Sequence, residues 1–269
     1  MNSKPHTPAT ARIFFRTVLL IAVCGMATAA RAQIFVSQYT TSNIGIVSEY
    51  TVSGTNATAV RTLVTEPQGT PSPMGIAATA SNLYMLNTSA GTVDKYTISG
   101  TSITLTKAAF ISGLKLPGAI AASGTTIFLS NNCQSTVGGA YLMEYSNTGT
   151  LISKTLVKGL SDPDGIAVTG TNLFVSDVYS GIVGEYTTSG AVVNTSLITG
   201  IKDPAGMAIS GNFLFVADPQ SGTVDKYSFS GSTASAVDVP LVALNFPQFV
   251  ATSGTDLFVA DTDRYEASA

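Results

Sequence analysis

The sequence predicts an all-β protein, a β-propeller of four-stranded antiparallel blades, and three observations support that prediction. One unit recurs along the chain with a period in the low forties. Each unit divides into four short apolar runs, which we label a to d, separated by turns rich in Gly, Thr, Ser and Asn. No segment beyond the N-terminal leader keeps a helical period. Four strands in a unit of this length are typical of a propeller blade.

Each unit starts at a proline followed by small apolar residues, as in Pro163-Asp-Gly-Ile-Ala-Val168. The spacings between successive starts are 44, 46, 41 and 43 residues. The prolines are Pro73, Pro117, Pro163, Pro204 and Pro247. We expect small residues here because strand a is innermost, where the blades crowd the central channel. The proline sets an extended start where no backbone donor is needed.

Strands b and c carry aromatic anchors. Strand b holds an apolar triplet centred on Phe35, Tyr84, Phe128, Phe174, Phe215 and Phe258 in successive units. Strand c ends in Tyr50, Tyr96, Tyr145, Tyr186 and Tyr227. We expect these rings to pack between neighbouring blades. The Glu or Lys before each tyrosine is expected on the wetter side, since side chains alternate along a strand.

The strand count leaves two blade arrangements open. The repeats supply five a strands, six b, five c and five d, so five complete-looking repeats are joined by a partial one. A six-bladed ring that is incomplete at its C-terminal end is favoured, because the tail from Thr262 to Ala269 leaves the pattern. The alternative has five blades, with the C-terminal a strand completing the N-terminal b, c and d strands. That alternative leaves one b strand over.

Residues 1–32 read as a secretory signal peptide. Lys4, Arg12 and Arg16 give a positive start, and an apolar run from Val18 to Met26 follows. The run is shorter than the roughly 20 residues of a membrane-spanning helix. Ala30-Arg31-Ala32 has the small-x-small form of a cleavage site. We therefore expect a propeller over 33–263, an irregular tail over 264–269, and a secreted, periplasmic or cell-surface protein.

Composition excludes several classes of function. The single histidine and one of the two cysteines, His6 and Cys24, lie in the leader, which leaves Cys133 alone in the mature chain. This excludes Ser-His-Asp or Cys-His catalysis, a His-ligated metal and an internal disulfide. Without the four basic leader residues, nine basic residues face sixteen acidic ones, a net charge of −7. Nucleic acid and anionic membrane surfaces are therefore excluded as partners.

Oxygen-bearing side chains follow strand b in every unit, and a–b hairpins bring them to one face of the ring. They are Gln38, Asn87, Asn131, Asp177, Asp218 and Asp261, and Asp164 joins them at the start of its a strand. Such ligands suit calcium or magnesium, so the candidate metal ligands are Asp164, Asp177, Asp218, Asp261 and Asn131. Because the position recurs in every blade, capping of the b–c turns is the favoured interpretation.

The blades resemble NHL-repeat propellers over roughly Ile34 to Asp263. Pro163-Asp-Gly-Ile-Ala-Val168 with Leu173-Phe-Val-Ser-Asp177 is similar to the family's first two strands, as is the run from Pro204 to Asp218. The family's usual Asp after strand a and Arg before the third-strand aromatic are replaced here, so its recruitment surfaces are not carried over. Together with the leader, the repeats lead us to expect a non-catalytic, exported bacterial module, a monomer that binds a protein, a glycan or a small polar ligand. We expect it to need no cofactor, with calcium as the one ion that its rim could take.

Pro163-Asp-Gly also resembles a motif of the gluconolactonase and senescence-marker propellers. That resemblance implies an alternative function, a calcium-dependent lactonase-type hydrolase on a six-bladed ring. In those enzymes a metal polarises the carbonyl and an Asp serves as the base. The match is one tripeptide in one blade, and the sequence shows no asymmetric set of Asn and Asp beside it.

Overall fold

A computed structural model describes residues 10–15, 22–28, 31–39, 45–53, 56–65, 73–99, 102–132, 139–254 and 256–262. All regular structure in these ranges is β-strand. Within them, no helix has the length and apolar character needed to cross a membrane. His6, Cys133 and the predicted irregular tail over 264–269 lie outside the described ranges.

The described strands form six sheets, numbered here in chain order. Sheet I contains β2 (Ala22–Thr28), β3 (Arg31–Tyr39), β4 (Gly45–Ser53) and β5 (Asn56–Thr65). Sheet II contains β6 (Pro73–Ala78), β7 (Asn82–Asn87), β8 (Thr92–Ser99) and β9 (Ser102–Ile111). Sheet III contains β10 (Ile120–Ser123), β11 (Thr126–Asn131), β12 (Ala140–Ser146) and β13 (Leu151–Leu160).

The second half of the chain repeats this order. Sheet IV contains β14 (Pro163–Thr169), β15 (Asn172–Asp177), β16 (Ile182–Thr187) and β17 (Val192–Thr199). Sheet V contains β18 (Met207–Ser210), β19 (Phe213–Asp218), β20 (Thr223–Ser230) and β21 (Thr233–Ala243). Sheet VI contains β22 (Pro247–Ser253) and β23 (Asp256–Thr262), joined by β1 (Thr10–Phe15).

Sheets I to V each place four antiparallel strands in chain order, as successive hairpins produce. The first strand of each sheet contacts the first strand of the next, from β2 through β6, β10, β14, β18 and β22, and β22 contacts β2. The small residues of strand a thus face a shared centre. The prediction of an all-β propeller with four-stranded antiparallel blades is confirmed.

Aromatic side chains fill the spaces between sheets. Tyr145 of sheet III shares a buried cluster with Tyr84 of sheet II, and Tyr227 of sheet V shares one with Phe174 of sheet IV. Tyr186 packs likewise with Phe128. Tyr96 lies in a cluster with Phe35 of sheet I. These four c-strand tyrosines are buried, which confirms their predicted packing between blades, whereas the side chain of Tyr50 lies outside the described part of the structure.

Two described strands fall within the predicted leader. Strand β2 pairs antiparallel with β3, from Ala22 opposite Ser37 to Thr28 opposite Arg31, and takes the innermost position in sheet I. Strand β1 runs parallel to β23 along the edge of sheet VI. The structure therefore shows the chain with its leader present. Cleavage after Ala32 stays a prediction, as does the number of blades in the working protein.

Candidate functional site

The starts of the a strands line a cavity of about 80 Å³ at the centre of the ring. Sheets II to VI all contribute to its wall. Eleven of the twelve lining residues are glycine or apolar, among them Met207 and Phe249. Asp164 is the exception. The cavity therefore has one ionisable side chain, while glycine backbone and apolar side chains form the rest of its wall.

Two glycines in the wall of the channel leave space that a side chain would fill. A Cβ on Gly165 would collide with the backbone carbonyl oxygen of Ala205 in the next sheet. A Cβ on Gly118 would lie 3.3 Å from Oδ1 of Asp164 and 3.3 Å from Nδ2 of Asn132. Gly165 thus lets two sheets approach each other, while Gly118 leaves space directly beside the Asp164 carboxylate.

A local irregularity in strand pairing positions Asp164. Pro163 lies opposite Asp177, and Gly165 lies opposite Ser176, so the register shifts across Asp164. Such bulges re-aim a side chain out of the regular alternation. The same shift occurs at Pro73 to Gly75 and at Pro247 to Phe249. Among these three sheets, only sheet IV has a carboxylate at the position after the proline.

The Asp164 carboxylate is half-buried in the wall of the channel. No hydrogen bond or ion pair joins it to another residue in the described ranges. Protein surrounds the side chain, although the channel leaves part of its surface accessible to water. Burial raises the pKa of Asp164 to about 7, and the charges of Asp162 and Asp203 add to this rise. The group is therefore close to half ionised at neutral pH.

Two further carboxylates lie near the mouth of the channel. Burial raises the pKa of Asp162, with a contribution from the charge of Asp177. Burial also raises the pKa of Asp203, with contributions from Asp218 and Asp162. Asn132 Nδ2 donates a hydrogen bond to Asp162 Oδ1 at 2.9 Å. The mouth is thus acidic as well as the channel itself.

The predicted rim residues of sheets IV and V bind backbone N–H groups. Asp177 accepts hydrogen bonds from the N–H groups of Ser161, Asp162 and Ser180, at 2.7, 3.2 and 3.4 Å. Asp218 accepts from Lys202 N–H at 3.2 Å and Ser221 N–H at 2.9 Å. Each carboxylate holds its own b–c turn and the loop that leads into strand a.

The remaining rim residues act in related ways. Asp261 Oδ1 accepts hydrogen bonds from the N–H groups of Phe246 (2.8 Å) and Asn245 (3.2 Å). Asn131 Oδ1 accepts from Lys115 N–H at 2.8 Å. Asn87 instead donates through Nδ2 to Asp94 Oδ2 at 2.9 Å. The side chain of Gln38 lies outside the described part of the structure.

The structure therefore separates Asp164 from the other candidate metal ligands. Asp164 faces the channel, whereas Asp177, Asp218, Asp261 and Asn131 hold loops through backbone hydrogen bonds. Within the described ranges, no three His, Cys, Asp or Glu side chains are grouped to hold a metal ion. Calcium takes 6–8 oxygen ligands. The described donors at the channel supply one free carboxylate, so this set by itself does not fit calcium, and the metal site stays a prediction.

Sequence reasoning overlooked Asp162, Asp203 and Asn132. The signal for the first two is the Asp-Pro dipeptide, which occurs before strand a in sheets IV and V alone. The residue before a proline is held extended. Both carboxylates lie close enough to Asp164 for their charges to raise its pKa. Asn132 carries no comparable signal, because it lies at the start of an insertion that breaks the repeat.

A comparison by sequence matches the chain to no protein-family profile and to no curated protein. Solved β-propellers share its fold. The PQQ-bound aldose sugar dehydrogenase from Streptomyces coelicolor is 13% identical, with 97% of this chain and 92% of that chain covered and a TM-score of 0.68. A chain of a nidogen–laminin complex is 17% identical, with coverages of 81% and 82% and a TM-score of 0.62.

A gluconolactonase from Xanthomonas campestris is a third structural neighbour. It is 11% identical, with 91% of this chain and 96% of that chain covered and a TM-score of 0.58. At these identities the likeness establishes the propeller fold alone. The function has to be argued from the site itself.

Proposed function

We propose that this protein is a non-catalytic, NHL-like binding module that works outside the cytoplasm and takes a ligand into its central channel. One observation carries the proposal: the carboxylate of Asp164, which has no hydrogen-bond or ion-pair partner among the described residues, opens into the central cavity. Pockets that bind small molecules are mostly apolar and have a few convergent polar groups. The rim carboxylates, by contrast, are engaged in holding loops.

The sequence supports the non-catalytic part of the proposal. Its one histidine is in the leader, so the mature chain has no imidazole to act as a base or to activate a nucleophile. The structural neighbours include a chain from a protein–protein complex, which fits a binding role for the fold. The NHL likeness rests on the Pro-x-Gly starts and the b-strand aromatics of the sequence.

Methyl NMR at the channel tests the binding role. Met207 lines the cavity, so its labelled ε-methyl resonance, assigned with Met207→Leu, reports on ligands that enter. We would titrate the full-length protein with neutral sugars, carboxylates and alkylammonium ions. The proposal expects at least one class to shift this resonance without being converted to product. A resonance that none of the classes moves would contradict a channel ligand.

Export has its own test. The protein would be produced in a bacterial host, the cell fractions separated, and the mass of the recovered protein measured. We expect it in the extracytoplasmic fraction with Gln33 as its first residue. Cytoplasmic protein with an intact leader would overturn the proposed location and leave the channel unaffected.

A calcium-dependent lactonase is the second candidate function. The observation that favours it is Pro163-Asp164-Gly165, whose carboxylate opens into the cavity, on a fold shared with a gluconolactonase. In that candidate Asp164 would act with Asn131, Asp177, Asp218 and Asp261, but the oxygens of the last four already accept backbone hydrogen bonds or hold loops. Lactone hydrolysis would be measured with calcium and with EDTA. Calcium-dependent turnover that Asp164→Asn abolishes would replace the binding proposal.

A further inference from the structure

We propose that the central channel binds a small organic cation, an ammonium group on a short apolar chain, with the Asp164 carboxylate as its counter-ion. The inference rests on the proposed function, because it names the ligand class of the same channel. The ammonium could belong to a free amine or to a lysine side chain of another protein. These two sources share one chemistry, and the experiment below separates them.

Charge is the first step of the argument. A carboxylate removed from water is unfavourable unless it is paired or hydrogen-bonded. Asp164 has neither kind of partner among the described residues, and its nearest charged neighbours, Asp162 and Asp203, are also acidic. Their combined field favours a cation at the channel mouth and disfavours an anion.

The wall of the channel is the second step. Beyond Asp164, the cavity presents apolar side chains such as Ile120, Met207 and Phe249. Asp164 is the one described side chain of the wall that offers oxygen ligands, whereas a calcium ion takes 6–8. An alkylammonium ion suits both parts of the site, since its charge would meet Asp164 and its methylenes would meet the apolar side chains.

The protonation of Asp164 predicts how binding of the cation depends on pH. A cation pairs with the ionised carboxyl, so a bound proton competes with the ligand. With the pKa of free Asp164 raised to about 7, affinity should fall as pH drops below 7 and level off above it. Competition by one proton predicts binding roughly 100-fold weaker at pH 5 than at pH 8.

The experiment is a titration of the full-length protein with n-butylammonium, followed through the Met207 ε-methyl resonance at pH 5 and pH 8. n-Butanol is the control ligand, because it has the same chain without the charge. Asp164→Asn removes the carboxylate charge and keeps its shape. Asp238→Asn is the matched control variant, since this half-exposed carboxylate lies on outer strand β21. We expect binding at pH 8 that weakens at pH 5, is lost in Asp164→Asn and persists in Asp238→Asn.

Several results would overturn the inference. Butanol binding as tightly as butylammonium, or butylammonium binding that ignores pH, would remove the counter-ion role, and neither result depends on a variant that must fold. A response to neutral sugars alone would reject the ammonium ligand and keep the proposed binding function. No response to any ligand class would reject both. Lysine whose amino and carboxyl groups are both blocked imitates a side chain in a protein. If it binds more tightly than butylammonium, the source is a protein side chain, and if it binds more weakly, the source is a free amine.

Discussion

Asp164 occupies a position that the other blades fill with uncharged residues. The residue after the starting proline is Met74, Gly118, Ala205 or Gln248 elsewhere in the chain. A carboxylate in this place loses hydration and gains no partner within the described structure. The sequence predicts that Asp164 lies at the channel end of strand a. Its depth and isolation could not be predicted, because they depend on which side chains the other sheets bring to the centre.

The raised pKa of Asp164 predicts how stability varies with pH. The folded-state value of about 7 lies above the usual Asp value of 3.8, so the folded protein binds the proton more tightly than the unfolded chain. The stabilisation that comes from this tighter proton binding is fully present below about pH 4 and is lost as the pH rises to 7. Asp164→Asn should therefore raise the free energy of unfolding at pH 8, by up to about 4 kcal/mol, and change it little near pH 4.

Urea unfolding of both proteins from pH 4 to pH 8 measures this difference. Asp162, Asp203 and Asp225 also have raised pKa values and remain in both proteins. The difference between the two curves therefore reports Asp164 together with its repulsion by Asp162 and Asp203. Parallel curves across this range would contradict the raised pKa.

Alanine substitutions at two glycines of the channel should destabilise the protein to different extents. In Gly165→Ala the new Cβ meets the backbone carbonyl of Ala205, which cannot move without separating sheets IV and V. We expect a loss of about 1–3 kcal/mol in the free energy of unfolding. In Gly118→Ala the nearest atoms lie at 3.3 Å, and two of the three belong to side chains that can shift. Thermal melting of the pair should show the larger drop for Gly165→Ala, and equal drops would refute the close approach.

Among the strands, sheet II shows how a buried acid can be satisfied. Asp94 on β8 accepts hydrogen bonds from the Asn87 side chain at 2.9 Å and from Ala109 N–H at 2.6 Å. Asn87 ends strand β7, and Ala109 belongs to outer strand β9. Strands b, c and d of one sheet thus meet at this carboxylate.

Sheet V has the same geometry without the same donors. Asp225 takes the position of Asp94, and Asp218 takes that of Asn87. The pairing of β20 with β21 places Pro240 at the position that Ala109 has in sheet II. Proline has no N–H to donate. The Tyr227 hydroxyl lies 3.5 Å from Asp225. Burial raises the pKa of Asp225 and the charge of Asp218 adds to the rise, while hydrogen bonds from the Thr223 and Tyr227 hydroxyl groups oppose it.

Asp218→Asn should stabilise the protein, because an amide donor for Asp225 and the loss of a repulsion outweigh the weaker hydrogen bonds that an amide accepts from the N–H groups of Lys202 and Ser221. We expect the free energy of unfolding at pH 8 to rise by about 1 kcal/mol, as a new hydrogen bond replaces a repulsion. Asp177→Asn is the matched control, because sheet IV has Gly184, and no acidic residue, at the position of Asp225. That variant loses charge-assisted hydrogen bonds and should be destabilised. Urea unfolding compares the two, and destabilisation of both would contradict repulsion in sheet V.

The two-residue alternation along each strand predicted which face of the sheet a side chain lies on, but not how deeply that side chain is buried. The aromatic residues of strands b and c pack between sheets as the repeat predicts. Glu185 was expected on the wetter side of its strand, but only 1% of its surface is exposed. Opposite it on β17, Asn194 donates a hydrogen bond to the Ser232 carbonyl of sheet V, which brings the neighbouring sheet against this region. A two-residue period carries no information about that neighbour.

For the whole molecule, the least predictable feature is the origin of the innermost strand of sheet I. The repeats of the sequence supply five a strands, and the structure places β2 from the leader in the sixth position. Small apolar residues suit both a signal peptide and an inner propeller strand, so composition cannot distinguish the two roles. Strand β2 also lacks the starting proline that marks the other a strands.

Removing the leader should therefore weaken the ring. A chain that begins at Gln33 loses β1 and β2, and with β2 its contacts to both β6 and β22. We expect it to melt at least about 5 °C below the full-length chain, since each kcal/mol shifts the melting temperature by about 2–4 °C at this size. Equal melting temperatures would show that the first blade closes without β2.

The central claim is that the channel takes its ligand through the Asp164 carboxylate without a metal, and calcium-dependent melting tests it most directly. A ligand present at 100 times its Kd stabilises the folded state by about 2.7 kcal/mol, which a melting curve resolves as a shift of several degrees. We would melt the full-length protein at pH 8 with millimolar calcium and with EDTA, beside Asp164→Asn. The account predicts the same melting temperature in calcium and EDTA. A rise with calcium that Asp164→Asn abolishes would contradict it and place a metal in the channel.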